Sequence, residues 1–267
     1  MRFLNARRRH RAARPLLLVF VLFVVGALYS VMSPATQVSA DGGNSADVAA
    51  GRALFSSSGC ASCHGLNGEG SSQGPSLVGV GSASVDFQVS TGRMPLARPG
   101  QQGARKENRY TDEEIRVLGA FVDSLGPGLK VPKPEQYTAE GLTAEELARG
   151  GELFRTNCSA CHNFSGQGGA LPEGKYAPSL VGSSDKHIWE AMRTGPQQMP
   201  VFPQTTLTDE DVRSIIGYLD TLHAQPSGGF QLGGIGPVSE GLWAWLVGIG
   251  VLVVFSVWIA AKGVRAR

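Results

Sequence analysis

The sequence predicts an all-α protein: two tandem copies of one helical domain, set between an N-terminal and a C-terminal transmembrane helix. Three observations carry that expectation. One series of landmarks occurs twice, in the same order. Two uncharged apolar runs flank the repeated part. Between its helical patterns the chain is rich in Gly, Pro and Ser, and no segment alternates as a half-buried strand would.

The ends account for the charge. The 267 residues sum to +2, yet residues 1–14 hold six arginines and no acid, and 262–267 hold Lys262, Arg265 and Arg267 and no acid. The remainder has 15 basic against 22 acidic residues, a net −7. With 42% hydrophobic residues the chain is too apolar for disorder, and its small net charge excludes nucleic acid as a partner.

After the basic segment comes Leu16–Met32, 17 residues without charge. As a helix it reaches about 25 Å, against a bilayer core of about 30 Å, and a transmembrane helix is expected over 15–33. The long basic segment and an apolar run beyond the roughly 7–15 residues of a signal peptide favour a retained anchor. A cleavable signal ending at Val38-Ser39-Ala40 is the alternative. At the other end Gly241–Ala261, 21 uncharged residues, spans comfortably, with Trp243 and Trp245 at one end and Trp258 near the other. Both basic clusters lie on the outer flanks. The positive-inside rule then places both termini in the cytoplasm and residues 33–240 outside it, in a multi-pass protein of the cell membrane in contact with lipid.

The first copy, residues 45–126, runs from Gly51-Arg-Ala-Leu-Phe55 through Cys60-Ala-Ser-Cys63-His64, Pro75-Ser-Leu-Val-Gly79 and Met94-Pro95 to a closing helix over 111–125. The second, residues 139–224, runs from Gly151-Glu-Leu-Phe154 through Cys158-Ser-Ala-Cys161-His162, Pro178-Ser-Leu-Val-Gly182 and Met199-Pro200 to a helix over 208–222. Thr111 with Glu114, Thr143 with Glu146 and Thr208 with Asp211 have capping-box spacing. Ile115, Leu118, Val122 and Leu125 recur at helical spacing, as do Val212, Ile215, Leu219 and Leu222. Residues 127–138, with three prolines, read as a semi-rigid linker, and 225–240 as a Gly-rich tether to the last span. Each copy is too small for two or three short helices to make a sufficient core unaided, so something else is expected to fill its middle.

All four cysteines sit in the two Cys-x-x-Cys-His motifs. A disulfide framework would not require the His, and two adjacent units leave the wrong ligand count for separate tetrahedral zinc sites. Covalent attachment of c-type haem uses every residue: two thiols for the two vinyl groups, and the next side chain for the iron. Two haem c groups are therefore expected, on Cys60 and Cys63 with His64, and on Cys158 and Cys161 with His162. A large apolar plate would also fill each thin core. Met94 and Met199 lie 30 and 37 residues after their histidines, each followed by Pro. An isolated Met is ordinarily core packing. Two Met-Pro pairs at matching places in a haem-binding repeat read instead as axial ligands, and thioether ligation raises the reduction potential. Met192 competes with Met199 but falls inside an expected helix over 186–193. His10, His187 and His223 read as surface residues. With both irons six-coordinate, no substrate-converting site is expected.

Over about 45–125 and 142–223 the residues resemble class I cytochrome c domains. The resemblance implies that the Gly51 and Gly151 helices cross the closing helices near Phe121 and Tyr218. It also implies that Pro75 and Pro178 offer carbonyls to the ring N–H of His64 and His162. The whole arrangement is similar to the dihaem cytochrome c subunit of actinobacterial menaquinol–cytochrome c reductase, the bcc form of respiratory complex III. That resemblance implies an electron-transfer subunit of a quinol–cytochrome c reductase, a translocase. Its partners would be cytochrome b, the Rieske iron–sulfur subunit as donor, and the copper centre of a haem–copper oxidase as acceptor. A dihaem peroxidase would need an open iron, a periplasmic dehydrogenase subunit would keep haem with another partner, and a free shuttle would not need the last span. Finally, the first copy has an extra loop, Leu96–Tyr110, with Arg98, Arg105, Lys106 and Arg109 against Glu107. It is expected to meet an acidic partner surface or haem propionates, unless it is simply a solvated loop.

Overall fold

The computed structural model describes residues 13–32, 44–100, 102–224 and 237–265. Most of the basic N-terminal segment, the Val38-Ser39-Ala40 motif, residues 225–236 of the tether and the last two residues lie outside the described residues. The chain is mostly helical. Helix α1 (Ala13–Met32) precedes four helices of the first copy, α2 (Ser45–Ser57), α3 (Ala61–His64), α4 (Ser82–Ser90) and α5 (Asp112–Ser124). Helix α6 (Pro134–Tyr137) leads into the second copy, α7 (Ala144–Asn157), α8 (Ser159–His162), α9 (Asp185–Thr194) and α10 (Asp209–Ala224), and α11 (Pro237–Arg265) ends the chain. The longer loop of the second copy folds into two-residue antiparallel strands, β1 (Gly169–Ala170) and β2 (Tyr176–Ala177), a small departure from the all-α expectation.

Local chemistry sets the helix starts. Thr111 Oγ1 accepts from Glu114 N (3.2 Å) while Glu114 Oε2 accepts from Thr111 N (2.8 Å). Thr143 and Glu146 repeat the reciprocal pair, as do Thr208 and Asp211 with both bonds at 3.2 Å. Three acids in the first turn of α5 and of α10 favour the positive end of the helix dipole.

Packing then joins first to last helix within each copy. Phe55 meets Phe121 with ring centroids 5.1 Å apart, and Phe154 meets Tyr218 at 5.8 Å. The backbones touch at a glycine. A Cβ on Gly51 would lie 1.9 Å from Val117 O, and one on Gly150 would lie 1.9 Å from Ser214 O. The crossing glycine of the second copy is therefore Gly150, which stands four residues before Phe154 as Gly51 does before Phe55. Gly151, which opens the second copy's sequence pattern, faces the Tyr218 ring, where a Cβ would sit 3.0 Å away.

The Pro-rich stretch 127–138 is fastened at both ends. Leu129 O accepts from Ala83 N (3.0 Å) and Lys130 pairs with Asp123 (2.9 Å), which ties its first half to the first copy. Tyr137 packs on the second core and Gln136 Nε2 donates to Asp209 (3.1 Å). Helices α4 and α9 bring the copies together. Lys186 Nζ pairs with Asp86 Oδ2 at 2.7 Å, and Ser90 Oγ lies 2.9 Å from His187 Nε2.

Among the described residues one helical stretch, Gly241–Lys262 of α11, is long and apolar enough to cross a membrane. It ends with Lys262 Nζ 4.3 Å from the Trp258 ring centroid, a cation folded back onto an aromatic face. The described apolar part of α1, Pro15–Ala27, is shorter than a span.

The register of the second crossing is checked by two alanines. Gly150→Ala forces a methyl into the Ser214 carbonyl and should cost about 1–3 kcal/mol. The thermal midpoint of the haem-loaded protein should fall by roughly 4–8 °C per kcal/mol. Gly151→Ala meets only side chains, the Tyr218 ring edge and the end of Arg155, and should fall less.

Candidate functional site

The opening helices deliver both Cys-x-x-Cys-His motifs. In the second copy α7 runs directly into Cys158, whose N–H donates to Phe154 O (2.9 Å). The first copy has one more residue between the aromatic and the first cysteine. Gly59, at φ +81°, absorbs it in a left-handed turn, and Cys60 N still reaches Phe55 O (3.1 Å). One turn of helix follows in each, so His64 N bonds Cys60 O (3.0 Å) and His162 N bonds Cys158 O (2.9 Å). Each pair of thiols therefore stands on a single turn with the His at its end. The first thiol of each pair is sheltered: burial pushes Cys60 up and Cys158 up to about 11. No disulfide joins any of the four cysteines among the described residues.

The loop after each motif returns a proline carbonyl to the histidine. His64 Nδ1 lies 2.7 Å from Pro75 O, and His162 Nδ1 lies 3.0 Å from Pro178 O. A carbonyl only accepts, so each Nδ1 carries a proton, and Nε2 is the ring nitrogen not engaged by that bond. Burial lowers the pKa of His162, partly opposed by the Pro178 carbonyl, so the net effect favours the neutral imidazole.

In the second copy these groups face a cleft of about 1380 Å³, solvent at its mouth included. Cys158, Cys161, His162 and Met199 all line it, with Leu180, Ile188, Ile215 and Leu219 among its apolar walls. That donor set and those walls fit a covalently held planar macrocycle: two thiols and an imidazole on one side, a thioether in the same cleft. Met199 follows the left-handed Gly195 that ends α9, and its N–H donates to Pro196 O (3.0 Å). Met192 also borders the cleft, but it is 3% exposed and its carbonyl is engaged by Phe202 N (2.8 Å) within the core. In the first copy Met94 is half-buried, its N–H donating to Gln88 O (2.9 Å), and the Met94–Pro95 peptide is cis.

Sequence reasoning missed that the first copy helps build the second copy's cleft. Phe87, Thr91, Arg93, Gln102, Gly103 and Arg105 line it from across the boundary. The extra loop crosses over: Tyr176 N donates to Gln102 Oε1 (3.0 Å), both Arg105 Nη atoms reach Gly182 O (3.2 Å), and Gln197 Nε2 reaches Gly103 O (3.1 Å). The loop's basic surplus was the visible signal, and part of it serves this chain's own second domain. His187 is likewise no surface residue. It is half-buried against Ser90 and the Phe87 ring, and burial lowers its pKa.

A family model described as "Cytochrome c" matches residues 48–126, and one described as "Cytochrome C oxidase, cbb3-type, subunit III" matches 145–219. The chain is similar to the cytochrome bc1 complex cytochrome c subunit of Mycobacterium leprae. The two are 45% identical over 252 residues, 92% of this chain and 87% of the relative. The Mycobacterium tuberculosis protein of the same name is 43% identical over 96% of this chain and 93% of its own length. That of Corynebacterium diphtheriae is 39% identical over 97% of each.

The domain boundary yields a pH prediction. Glu190 is fully buried in α9, facing Asp86 of α4, with Lys186 and His187 on its own helix. Burial, then the Asp86 charge, push its carboxyl up to about 9, against the opposing pull of Lys186. Between its ordinary 4.5 and about 9 the folded protein holds a proton that the unfolded chain has released, so this group makes stability fall as pH rises. Glu190→Gln should raise the urea midpoint of the haem-loaded protein at pH 8. Its advantage over the parent should shrink as pH falls towards 4.5.

Proposed function

The chain belongs to the family of cytochrome c subunits of the cytochrome bc1 complex, and from that premise we propose that it carries electrons from the complex's iron–sulfur subunit to a haem–copper oxidase. It has two cytochrome c domains and two covalently bound haem c groups, and its role in the complex is electron transfer. Haem c, when bound, supplies a one-electron iron couple. The observation that carries the fuller reading is the second cleft, where Cys158, Cys161, His162 and Met199 converge.

In this reading Cys60 and Cys63 hold the first group and Cys158 and Cys161 the second. His64 and His162 offer Nε2 to the irons, their rings oriented by Pro75 and Pro178. Met94 and Met199 complete the coordination, which leaves no position for a substrate. The domain limits are 45–126 and 139–224, with 127–138 between them. Helix α11 anchors the chain, supported by its length, its composition and the Lys262–Trp258 contact. Residues 15–33 form a second anchor, both termini are cytoplasmic, and the haem domains face the opposite side, where cytochrome b, the Rieske subunit and the oxidase's copper centre are the partners. The positive charge clusters at the two ends support this sidedness.

Purification from native membranes should yield a c-type spectrum with two haems per chain, together with cytochrome b and oxidase bands. A lone chain that needs no detergent would contradict the reading. Cys158→Ala/Cys161→Ala should remove one of the two haems. Met199→His should leave both attached and lower one midpoint potential by a sizeable part of the roughly 0.8 V that axial ligands span.

A further inference from the structure

Among the described residues Arg93 is a largely buried cation with no carboxylate beside it. It is 9% exposed, and its guanidinium lies 4.6 Å from the centroid of the Phe87 ring. Among the described residues no carboxylate pairs with it. The charged group closest to it in effect is Arg105, which repels it. A second guanidinium that is buried among the described residues shows what this fold does when an anion is at hand. Arg193, 7% exposed, pairs with Asp209 at 2.6 Å and donates to the Phe202 and Leu207 carbonyls at 2.8 and 2.7 Å. Arg93 lines a cleft open to solvent, and a ligand that fills the cleft would take its charge out of water, which is strongly unfavourable unless that ligand brings a negative group.

The location says which ligand. Arg93 and Arg105 both line the cleft that holds Cys158, Cys161, His162 and Met199, yet both belong to the first domain. Arg105 is exposed, and both its Nη atoms donate to Gly182 O of the second domain (3.2 Å). Haem c carries two propionate carboxylates, and a guanidinium is the side chain best matched to a carboxylate. We infer that Arg93, flanked by Arg105, receives a propionate of the haem attached to the second domain, so that the first domain completes the second domain's cofactor site. This rests on the proposed attachment of that haem to Cys158 and Cys161. It also puts the contacts to the two haems on adjacent residues: Arg93 holds the second haem's carboxylate, and the next residue, Met94, is the proposed ligand of the first haem.

The test uses the complex purified from native membranes with the full-length chain. The reference is Cys158→Ala/Cys161→Ala, which identifies the second haem's redox couple as the one that disappears. If that variant keeps two haems per chain, the attachment reading itself fails. Given the reference, Arg93→Gln and Arg93→Lys are compared by haem content and by spectroelectrochemical titration. Loss of a positive charge beside a propionate favours the oxidised iron. The second couple in Arg93→Gln should therefore shift about tenfold towards the oxidised form at a fixed potential, ~59 mV for a one-electron couple. Arg93→Lys should recover most of that shift, and the first couple should move much less. The inference is overturned if both couples stay within twofold of the parent, or if only the first moves. Should Arg93→Gln lose haem altogether, Arg93→Lys decides. Restored content with a near-parental second couple supports the charge role, and equal loss assigns Arg93 to packing on Phe87 alone.

Discussion

Two side chains that are missing, at Gly51 and Gly150, let the first and last helices of each domain touch backbone to backbone. Everything at the sites is counted from those contacts. The contact places Phe55 and Phe154 on the closing helix, and each aromatic lies a short step, five or four residues, before its first cysteine. The cysteines open one turn of helix, and that turn presents the histidine. A shift at the crossing would carry thiols and imidazole together away from the proline carbonyl that orients the ring. The extra residue in the first copy illustrates the constraint. Gly59 takes a left-handed conformation that keeps Cys60 bonded to Phe55 in spite of the longer count.

What could be read in the sequence was whatever is encoded within a few residues. The caps at Thr111, Thr143 and Thr208 are four-residue patterns, and the helices start where the patterns say. The motifs around Cys60 and Cys158 are five-residue patterns, and family membership agrees with their reading as haem attachment. The near-misses were matters of register or of distance along the chain. Gly150 and Gly151 are adjacent, and only the Ser214 carbonyl distinguishes the one that must lack a side chain. His187 meets Ser90 across 97 residues, and Gln102 meets Tyr176 across 74, so no local pattern could show either contact. The loop after Met94 was visibly basic, but an excess of charge does not say which surface it faces.

The two halves are unequal in a way that the repeat conceals. The second domain has the larger apolar core, built on Trp189, Ile215 and Ile216, and the greater share of the negative charge. The first domain extends its longer loop over the second domain's cleft, and α4 places Asp86 against Lys186 of α9. The repeated pattern gives two similar scaffolds. The insertions in their loops differ, and those insertions turn two similar units into a joined pair.

The fastening of residues 127–138 bears on how strong that joining has to be. Val131 N still bonds Ser82 Oγ (3.4 Å) on the first domain, and Lys133 N already bonds Gln136 within α6, so hardly more than Pro132 separates the two attachments. A residue or two of chain extends at most ~7 Å. The domains therefore meet as reactants tethered at very short range, for which effective concentrations reach the order of millimolar or above. Contacts as slight as one partly exposed ion pair and a few hydrogen bonds to backbone carbonyls, too weak to hold separate proteins together, are enough to set the equilibrium when the partner cannot diffuse away.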